Sequence, residues 1–381
     1  MNMMAAMRKP DKIITAEKLT TPNEIARIAA PWQALGAHAF VPAGSALQAW
    51  LAPALKHYGP RLPAEVLALW RADALCGVFV LAAGRGFLRR AWNSPLSFSG
   101  TPLIDAEDPK SVLNAFLGAQ RGRAIQFRAL PASGPFWDML NEAVAEAGGT
   151  IETLARWERA ALGPQTSFED WFSRNFERKR RKEYRRLRSR LGEEGKIESI
   201  AWVPGEAVDP WVDELIALEA KGWKGRRGTA LAADAVMATA FREALQLLAG
   251  EGSLRLWKIA FNGKPIAMMS GLVTGKQGWL GKIAYDEDFA RYSPGVMLIL
   301  DVTEKLIDKE RLALVDSCAI PGHPMISNIW RDRIALCDVM IRGPGLSSAV
   351  FRLLVETEKG RVAARALAKT LYYRLMRRKE S

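Results

Sequence analysis

The chain has 381 residues, of which 49% are apolar and 25% are charged. This length exceeds one ordinary hydrophobic core and the composition is globular, which excludes wholesale disorder and predicts two domains. The 54 basic and 41 acidic residues give a net charge of +13, which favours an anionic partner such as a nucleotide cofactor, RNA or lipid headgroups.

Three features of the sequence predict a cytoplasmic protein. The longest apolar stretches, such as 76–84, fall short of the roughly 18–20 residues that a membrane span needs, so no transmembrane segment is predicted. The segment 1–12 places its charges after its methionines, which is the reverse of a secretory leader. An odd number of cysteines, Cys76, Cys318 and Cys337, argues against a disulfide framework and favours a reducing compartment.

The first half begins with helices predicted at 22–36 and 46–58. Three short strands at 65–71, 75–82 and 87–92 follow, and the turns between them indicate an antiparallel meander. The predicted elements after the meander are a helix at 111–120, a strand at 124–130, a helix at 136–147 and a strand at 150–157.

The second half repeats this order. Helices are predicted at 168–192, 210–221 and 233–249, and a second meander at 254–261, 266–274 and 279–285. A helix at 295–308, a strand at 312–316, a helix at 326–332 and a strand at 335–341 complete it. The period is too long for a solenoid and indicates a duplicated domain.

The boundary between the halves is predicted near Gly163-Pro164, just before the capping-box signal that starts at Ser167. The predicted domains are 1–162, 163–346 and a basic amphipathic C-terminal helix within 347–381. The predicted fold class is α/β of the α+β type, with two similar domains that each contain a mixed, mostly antiparallel sheet flanked by helices.

Short motifs in the second half suggest a family. They are RKRRKEYRRL at 178–187, LEAKGWKGR at 218–226, GTAL at 228–231, GKPIA at 263–267, AYD at 284–286, YSPG at 292–295, DSC at 316–318 and GHPM at 322–325. In this order they resemble the GNAT acetyltransferase domain named for cellulose-biosynthesis proteins. The tandem arrangement is similar to the Fem-type peptidoglycan aminoacyltransferases.

The resemblance implies an acyltransferase in which the second half transfers an acyl group, such as acetyl, from acyl-CoA to an amine or sugar acceptor. A role in polysaccharide or envelope biosynthesis is implied by the family name alone. The first half matches in architecture but lacks these motifs, so we expect it to be a degenerate, scaffolding copy.

The start of the predicted helix near residue 294 is the expected site for the cofactor pyrophosphate, because a helix N-terminus offers unpaired N–H groups and a positive dipole. The cofactor-binding candidates are Arg291, Tyr292, Ser293, Gly295 and Val296. Tyr292 stands where the GNAT signature has Gln or Arg, and Met297 where it has a small residue. An ordinary helix start without a ligand is the alternative.

Acyl transfer to an amine needs a base, since an amine with a pKa near 10 is protonated at neutral pH at a cost of roughly 4 kcal/mol. Asp316, at the end of an apolar strand, and His323, in the following loop, are the candidates. Tyr285 and Tyr292 are the candidate proton donors to the leaving thiolate. The alternative is that Asp316 caps a turn, His323 belongs to an ordinary loop and the tyrosines are core residues.

The glycine-rich segment 222–228 combines one large aromatic residue with several cations, which suits an anionic or planar ligand. Its candidate substrate-binding residues are Trp223, Lys224 and Arg226, with Glu219 on the preceding helix facing them. A solvent loop anchored by a buried Trp is the alternative.

Between residues 174 and 190, 10 of 17 residues are Lys or Arg, and apolar residues recur at helical spacing. This basic helix could attract a cofactor phosphate, tRNA or an anionic membrane. Two other functions therefore stay open: a tRNA-dependent aminoacyl transferase, and a non-catalytic module that binds nucleic acid or anionic lipid. No zinc-type Cys/His spacing, Walker loop, dinucleotide motif or hydrolase elbow occurs, so no metal is predicted.

Overall fold

The computed structural model describes residues 13–379, and for residues 365, 366 and 369–379 it describes the backbone alone. The segment 1–12, whose charge order contributes to the predicted location, lies outside the described residues. No helix in the described part of the chain is both long enough and apolar enough to cross a membrane.

The strands follow the predicted alternation of short apolar segments and turns. They are β1 (Ile14–Leu19), β2 (Ala64–Arg71), β3 (Ala74–Ala82), β4 (Leu88–Arg90), β5 (Leu103–Ile104), β6 (Ala124–Pro131), β7 (Thr150–Leu162), β8 (Ile197–Ala201), β9 (Leu254–Phe261), β10 (Lys264–Thr274), β11 (Gln277–Tyr285), β12 (Leu314–Asp316) and β13 (Asp332–Arg342).

The helices pack on these strands. They are α1 (Pro22–Arg27), α2 (Ala29–Ala37), α3 (Gln48–Tyr58), α4 (Pro109–Ala119), α5 (Pro135–Glu146), α6 (Phe168–Asn175), α7 (Arg178–Glu194), α8 (Asp209–Lys221), α9 (Trp223–Arg226), α10 (Ala235–Gly250), α11 (Pro294–Glu304), α12 (Ile326–Ile329) and α13 (Ser348–Lys379).

The strands form two sheets. The smaller sheet has the order β1-β2-β3-β5 and is antiparallel throughout. The larger sheet has the order β4-β6-β13-β7-β12-β11-β10-β9-β8, and its parallel pairs are β4–β6 and β11–β12. The predicted fold class, a mixed α/β protein with sheets flanked by helices, is confirmed.

Strand β13 belongs to the second half of the sequence but lies between β6 and β7 of the first half. Its residues run antiparallel to β7, from Asp332 opposite Ala161 to Arg342 opposite Thr150, and it is also antiparallel to β6. Since this pairing crosses the expected boundary at residue 162, the domain limits given above stay a prediction.

The two halves also share a hydrophobic core. Helix α3 packs on α10, where the rings of Trp50 and Phe241 meet edge to face with centroids 6.3 Å apart. At the rim of this contact Glu243 accepts hydrogen bonds from Lys56 at 3.0 Å and contacts the His57 ring at 2.6 Å. The halves are therefore held together by buried surface as well as by the shared sheet.

The third strand of the predicted first meander is shorter than expected. Of residues 87–92 only 88–90 form a strand, β4, which pairs in parallel with β6, and the predicted antiparallel contact with β3 is limited to a bridge between Leu81 and Ala91. Over most of its edge β3 is free of β4, and it pairs with β5 instead. Turn residues signal antiparallel hairpins, whereas parallel pairing leaves no local signature.

Several predicted helix limits differ from those observed. The predicted helix 168–192 is divided into α6 and α7 at Phe176, which is extended because its ring packs against Trp171 and Phe172. The predicted helix 22–36 is divided into α1 and α2, 326–332 shrinks to α12, and 295–308 ends as an α-helix at Glu304 before a π-helical segment. Strands β1, β5 and β8 were not predicted.

Candidate active site

Strands β11 and β12 separate, and the opening between them is the centre of the site. They pair in parallel only from Gln277 opposite Leu314 to Trp279 opposite Asp316. Strand β12 ends at Asp316, whereas β11 continues to Tyr285. Residues 280–285 therefore have no strand beside them at this edge, which leaves room for a ligand to lie along the β11 backbone.

A groove of about 330 Å³ lies at the N-terminus of α11, beside this opening. The predicted cofactor residues Ser293, Gly295 and Val296 line it, together with Tyr285. A Cβ on Gly295 would lie 3.3 Å from Met325 Sδ and 3.4 Å from the Tyr285 ring, so the groove is narrow at this point.

The first turn of α11 has no side-chain cap. Ser293 adopts the left-handed conformation, with φ 55°, and its hydroxyl makes no capping bond. Its carbonyl accepts hydrogen bonds from the N–H groups of Val296 and Met297 at 3.0 and 3.1 Å. Among the described residues the Gly295 N–H has no acceptor, so it is available to an anion.

Arg180 of α7 brings a positive charge to the same groove. Its Nε donates to the Tyr184 hydroxyl at 2.8 Å, and its guanidinium lies 5.6 Å from the Phe176 ring centroid. No acidic side chain among the described residues pairs with it. The groove therefore has a cation from α7, whereas Arg291, the cation next to Tyr292, does not line it.

The other two predicted cofactor residues, Arg291 and Tyr292, both contact Glu194. The Arg291 guanidinium lies 3.1 Å from the Glu194 carboxylate, and the Tyr292 hydroxyl donates to it. That hydrogen bond raises the pKa of Tyr292. The groove is therefore lined by Tyr285 and not by Tyr292.

The predicted substrate segment folds into the short helix α9, which brings Glu219 and Lys224 together. Lys224 Nζ donates to Glu219 Oε1 at 2.8 Å and to the carbonyl of Ile283 on β11 at 3.0 Å. Glu219 is buried and also accepts from the Leu231 N–H at 2.7 Å. Gly225 is required here, because a Cβ would lie 1.8 Å from the Ala220 carbonyl oxygen.

Trp223 and Arg226 lie on the outer side of this segment, away from Glu219. Glu287 accepts hydrogen bonds from the Trp223 N–H and from Arg226, both at 2.6 Å, and the bond from Arg226 is the main cause of its lowered pKa. The Trp223 side chain is exposed. The structure therefore divides the four predicted substrate residues into an inner pair and an outer pair.

Asp316 is buried and both its oxygens are occupied. One oxygen accepts from Arg159 of β7 and the other from the Cys318 N–H at 2.8 Å. Burial raises the pKa of Asp316, and the positive charge of Arg159 opposes this rise. The pair links the two halves across the β7–β12 contact and fixes the turn after β12.

His323 lies in the loop that follows, with its ring partly buried. Burial lowers the pKa of His323, and the positive charge of Lys224 lowers it further. Its Nδ1 accepts a hydrogen bond from the Met325 N–H at 3.3 Å. The neutral ring therefore carries its proton on Nε2, which makes that nitrogen a donor.

The family model for the acetyltransferase (GNAT) domain matches residues 178–320 of the sequence. This segment contains Arg180, the β11–β12 opening, the N-terminus of α11 and Asp316. No curated protein matches the chain.

Solved structures share the fold over most of the chain. FemX has a TM-score of 0.56 at 11% identity, covering 89% of this chain and 100% of FemX. The C-terminal DUF2156 domain from Agrobacterium fabrum has a TM-score of 0.54 at 13% identity, covering 87% and 96% of the two chains. L-PGS from Bacillus licheniformis has a TM-score of 0.51 at 14% identity, covering 88% and 96%. At these identities the likeness shows the fold alone.

A second cavity, of about 500 Å³, lies on the other side of the loop after β12, between the GNAT segment and the first half. We call it the central cavity; residues 318–321 line it, whereas Pro324 and Met325 line the groove. Its wall includes Trp50 and Trp157 from the first half and Trp279 and Lys282 from β11.

Sequence reasoning missed four residues that the structure brings to these sites. Arg180 was noted only as part of a basic helix, and Arg128, Arg159 and Lys282 were not noted at all. Side chains of a strand alternate between its two faces, so in the sequence a lysine such as Lys282 looks like an ordinary solvent-facing residue. No local pattern therefore identifies it as part of a cavity. Burial lowers its pKa, while the nearby Glu219 carboxylate opposes that change.

Among the described residues, no group of three or more His, Cys, Asp or Glu side chains is placed to hold a metal ion.

Proposed function

We propose that the second half transfers an acyl group from acyl-CoA, in the simplest case acetyl-CoA, to an amine. The observation that carries this proposal is the groove at the uncapped N-terminus of α11, which is lined by Tyr285, the last residue of β11, next to the opening between β11 and β12. A pyrophosphate at the helix N-terminus would face the N–H of Gly295 and the Arg180 guanidinium. The pantetheine arm would then lie along residues 280–285.

The chemistry is a direct displacement. The amine nitrogen attacks the thioester carbonyl carbon, a C–N bond forms and the C–S bond breaks. One proton of the amine must leave and one must reach the departing thiolate, so that the products are an amide and CoA with a free thiol. Tyr285 lines the groove next to Gly295, which is the phosphate end of this arrangement, so we assign it to cofactor binding and not to proton transfer to the thiolate.

His323 lies in the loop between the groove and the central cavity, and its tautomer suggests a role different from the expected base. With the proton on Nε2, the ring can donate a hydrogen bond to the carbonyl oxygen as negative charge develops there. Gln at this position would keep a donor, whereas Ala would remove it. We expect His323→Gln to retain more activity than His323→Ala; equal losses would support the base instead.

Isothermal titration calorimetry with acetyl-CoA and CoA tests the donor. We expect Gly295→Trp to abolish binding, because the indole would fill the narrow part of the groove. Gly118→Trp is the matched control, since Gly118 is exposed on α4 with open space around it. Arg180→Gln should weaken binding by about tenfold, the size of one charge-assisted hydrogen bond. Wild-type protein that binds neither ligand, or Gly295→Trp protein that binds normally, would contradict the proposal.

A tRNA-dependent aminoacyl transfer is the second candidate, and the exposed cations of α7 favour it. Arg178, Lys179 and Lys182 are exposed, and none pairs with an acidic side chain among residues 13–379. This candidate predicts tRNA binding that weakens steeply as the salt concentration rises. The slope of the logarithm of the binding constant against the logarithm of the salt concentration should fall in magnitude by about 2 when Lys179 and Lys182 become Gln.

The same titration with anionic vesicles in place of tRNA tests the non-catalytic module. CoA release from acetyl-CoA that is unchanged in the double variant would exclude both tRNA transfer and the basic module as the main function. A polysaccharide acceptor in the cellulose-biosynthesis sense rests on the sequence resemblance alone, and it predicts acetylation of an amino sugar in the same CoA-release assay.

A further inference from the structure

The central cavity lies opposite the proposed donor groove. Strand β11 and the loop after β12 contribute to both: Tyr285 faces the groove and Lys282 the cavity, while residues 318–321 line the cavity and Met325 the groove. An acceptor in the cavity would therefore approach the opening from the side opposite the donor.

One wall of the cavity is a connected group of aromatic rings. Trp50 and Phe98 meet edge to face with centroids 5.5 Å apart, and Phe98 lies 6.2 Å from Trp279. Phe241 continues the wall next to Trp50. Such a wall suits a flat apolar group, and the volume of about 500 Å³ is within the range of ordinary small-molecule sites.

The charged side chains of the wall are all cations. Arg128, Arg159 and Lys282 line the cavity, and no Asp or Glu does. Arg159 pairs with Asp316 behind the wall. Arg128 and Lys282 are half-buried, and neither side chain makes a hydrogen bond or ion pair with any residue that the structure describes.

The nearest carboxylates are Glu219 for Lys282 and Asp338 for Arg128, but neither lines the cavity and neither makes an ion pair with these cations. Two partly desolvated cations that face one cavity are stabilised by an anion bound there. The lysine ammonium and the arginine fork are both suited to a carboxylate. Because the remaining wall is aromatic, one anionic group on an apolar body would satisfy the whole surface.

We propose that the central cavity binds the acceptor, and that the acceptor is an amine whose flat apolar body carries a carboxylate held by Lys282 and Arg128. This inference rests on the proposed function, since it assigns the second substrate of the same transfer. It goes further by naming the chemical class of that substrate and the two residues that select it.

Three indoles that differ in charge test it: indole-3-propionate, tryptamine and L-tryptophan. We expect calorimetry to show that indole-3-propionate binds and that tryptamine binds at least tenfold more weakly. Lys282→Met should weaken the binding of indole-3-propionate at least tenfold, and Arg128→Met should also weaken it. Lys276→Met, in the exposed turn before β11, is the matched control and should change nothing. With acetyl-CoA, CoA release should be at least tenfold faster, as kcat/KM, for tryptophan than for tryptamine.

Equal affinity for tryptamine and indole-3-propionate, or an unchanged affinity in Lys282→Met protein with a wild-type melting temperature, would overturn the inference. So would a wild-type protein that binds none of the indoles. Acetyl-CoA titrated into the same samples separates the two proposals. Lys282-dependent indole binding without acetyl-CoA binding would retain the ligand class and reject the acyl-CoA donor, and the reverse result would reject the ligand class alone.

Discussion

Helices α4 and α11 have the same place in the order of elements of the two halves, but their N-termini differ. Asp108 caps α4 by accepting from the Ser111 N–H at 3.1 Å, and hydrogen bonding to Ser111 lowers its pKa. Ser293 occupies the N-cap position of α11, but its side chain makes no capping hydrogen bond. In the first half a carboxylate of the chain itself takes the place of an anionic ligand, while in the second half that place is open.

The neighbouring strands differ in the same way. Strands β4 and β6 pair in parallel over three residues, as β11 and β12 do. Beside the first pair, Glu358 of α13 is buried and accepts from Gln126 at 3.1 Å and from Arg90 at 3.1 Å. The chain thus covers the strands of the first half with its own helix, whereas the second opening, where the donor site is proposed, has no such helix among the described residues.

The largest expected effect concerns the ion pair that joins the two halves. Arg159→Met leaves the Asp316 carboxylate buried without its partner, which should lower the free energy of unfolding by about 3–5 kcal/mol. Urea denaturation at pH 7 measures it. Because burial holds the pKa of Asp316 above its ordinary value, protonation relieves the penalty, so the loss should shrink as the pH falls. A loss below about 1 kcal/mol would mean that the halves do not depend on this pair.

Transferring the first-half cap to the second half tests the comparison directly. Ser293→Asp places a carboxylate where Asp108 stands in α4, and we expect acetyl-CoA binding to weaken at least tenfold through repulsion of the phosphates. Ser293→Asn has nearly the same shape without the charge and is the control. If Asp and Asn weaken binding equally, the phosphates do not lie at this helix.

The reciprocal change should affect stability alone. Asp108→Ala removes the cap of α4 and should cost about 0.5–2 kcal/mol, measured by urea denaturation. Acetyl-CoA affinity should stay within twofold of wild type, because α4 lies outside the proposed donor groove. A changed affinity would show that the first half also takes part in donor binding.

The smallest effect is the pH dependence of stability that His323 contributes. Its folded pKa is lowered, so the unfolded state binds the proton more readily. Stability is complete above the unfolded pKa of about 6.5 and is lost as the pH falls through the folded pKa. The melting temperature should therefore fall less steeply between pH 7 and pH 5 in His323→Gln than in wild type. Parallel curves would mean that the ring is not desolvated.

The second-half meander and most helices could be predicted, because strand alternation, turn residues and capping signals are local. The pairing of β4 with β6 and the place of β13 could not, because partners distant in sequence leave no periodic signal. The N-terminus of α11 was predicted from Pro294 and Gly295. Arg180 was not assigned to it, because α7 reaches the groove only through its packing on Phe176 and its neighbours.

The predicted substrate and catalytic residues show the same limit. Glu219 and Lys224 are close in sequence and do form a pair. Asp316 reads as a strand-end carboxylate, and only its partner Arg159, on a strand from the other half, reveals that it is buried and paired. A residue type and a position in a motif indicate a site, but the protonation state of that residue depends on neighbours that the fold supplies.

The position of β13 has a consequence for how the protein is made. Strands β6 and β7 leave the ribosome early, but the strand that belongs between them is encoded near the end of the described chain. Until it arrives, β6 and β7 keep facing edges with unpaired backbone groups. Folding must therefore close contacts over very long sequence separations, which slows it and exposes the nascent chain to aggregation. We expect synthesis of this protein to depend more on chaperones than that of two independent domains of the same size.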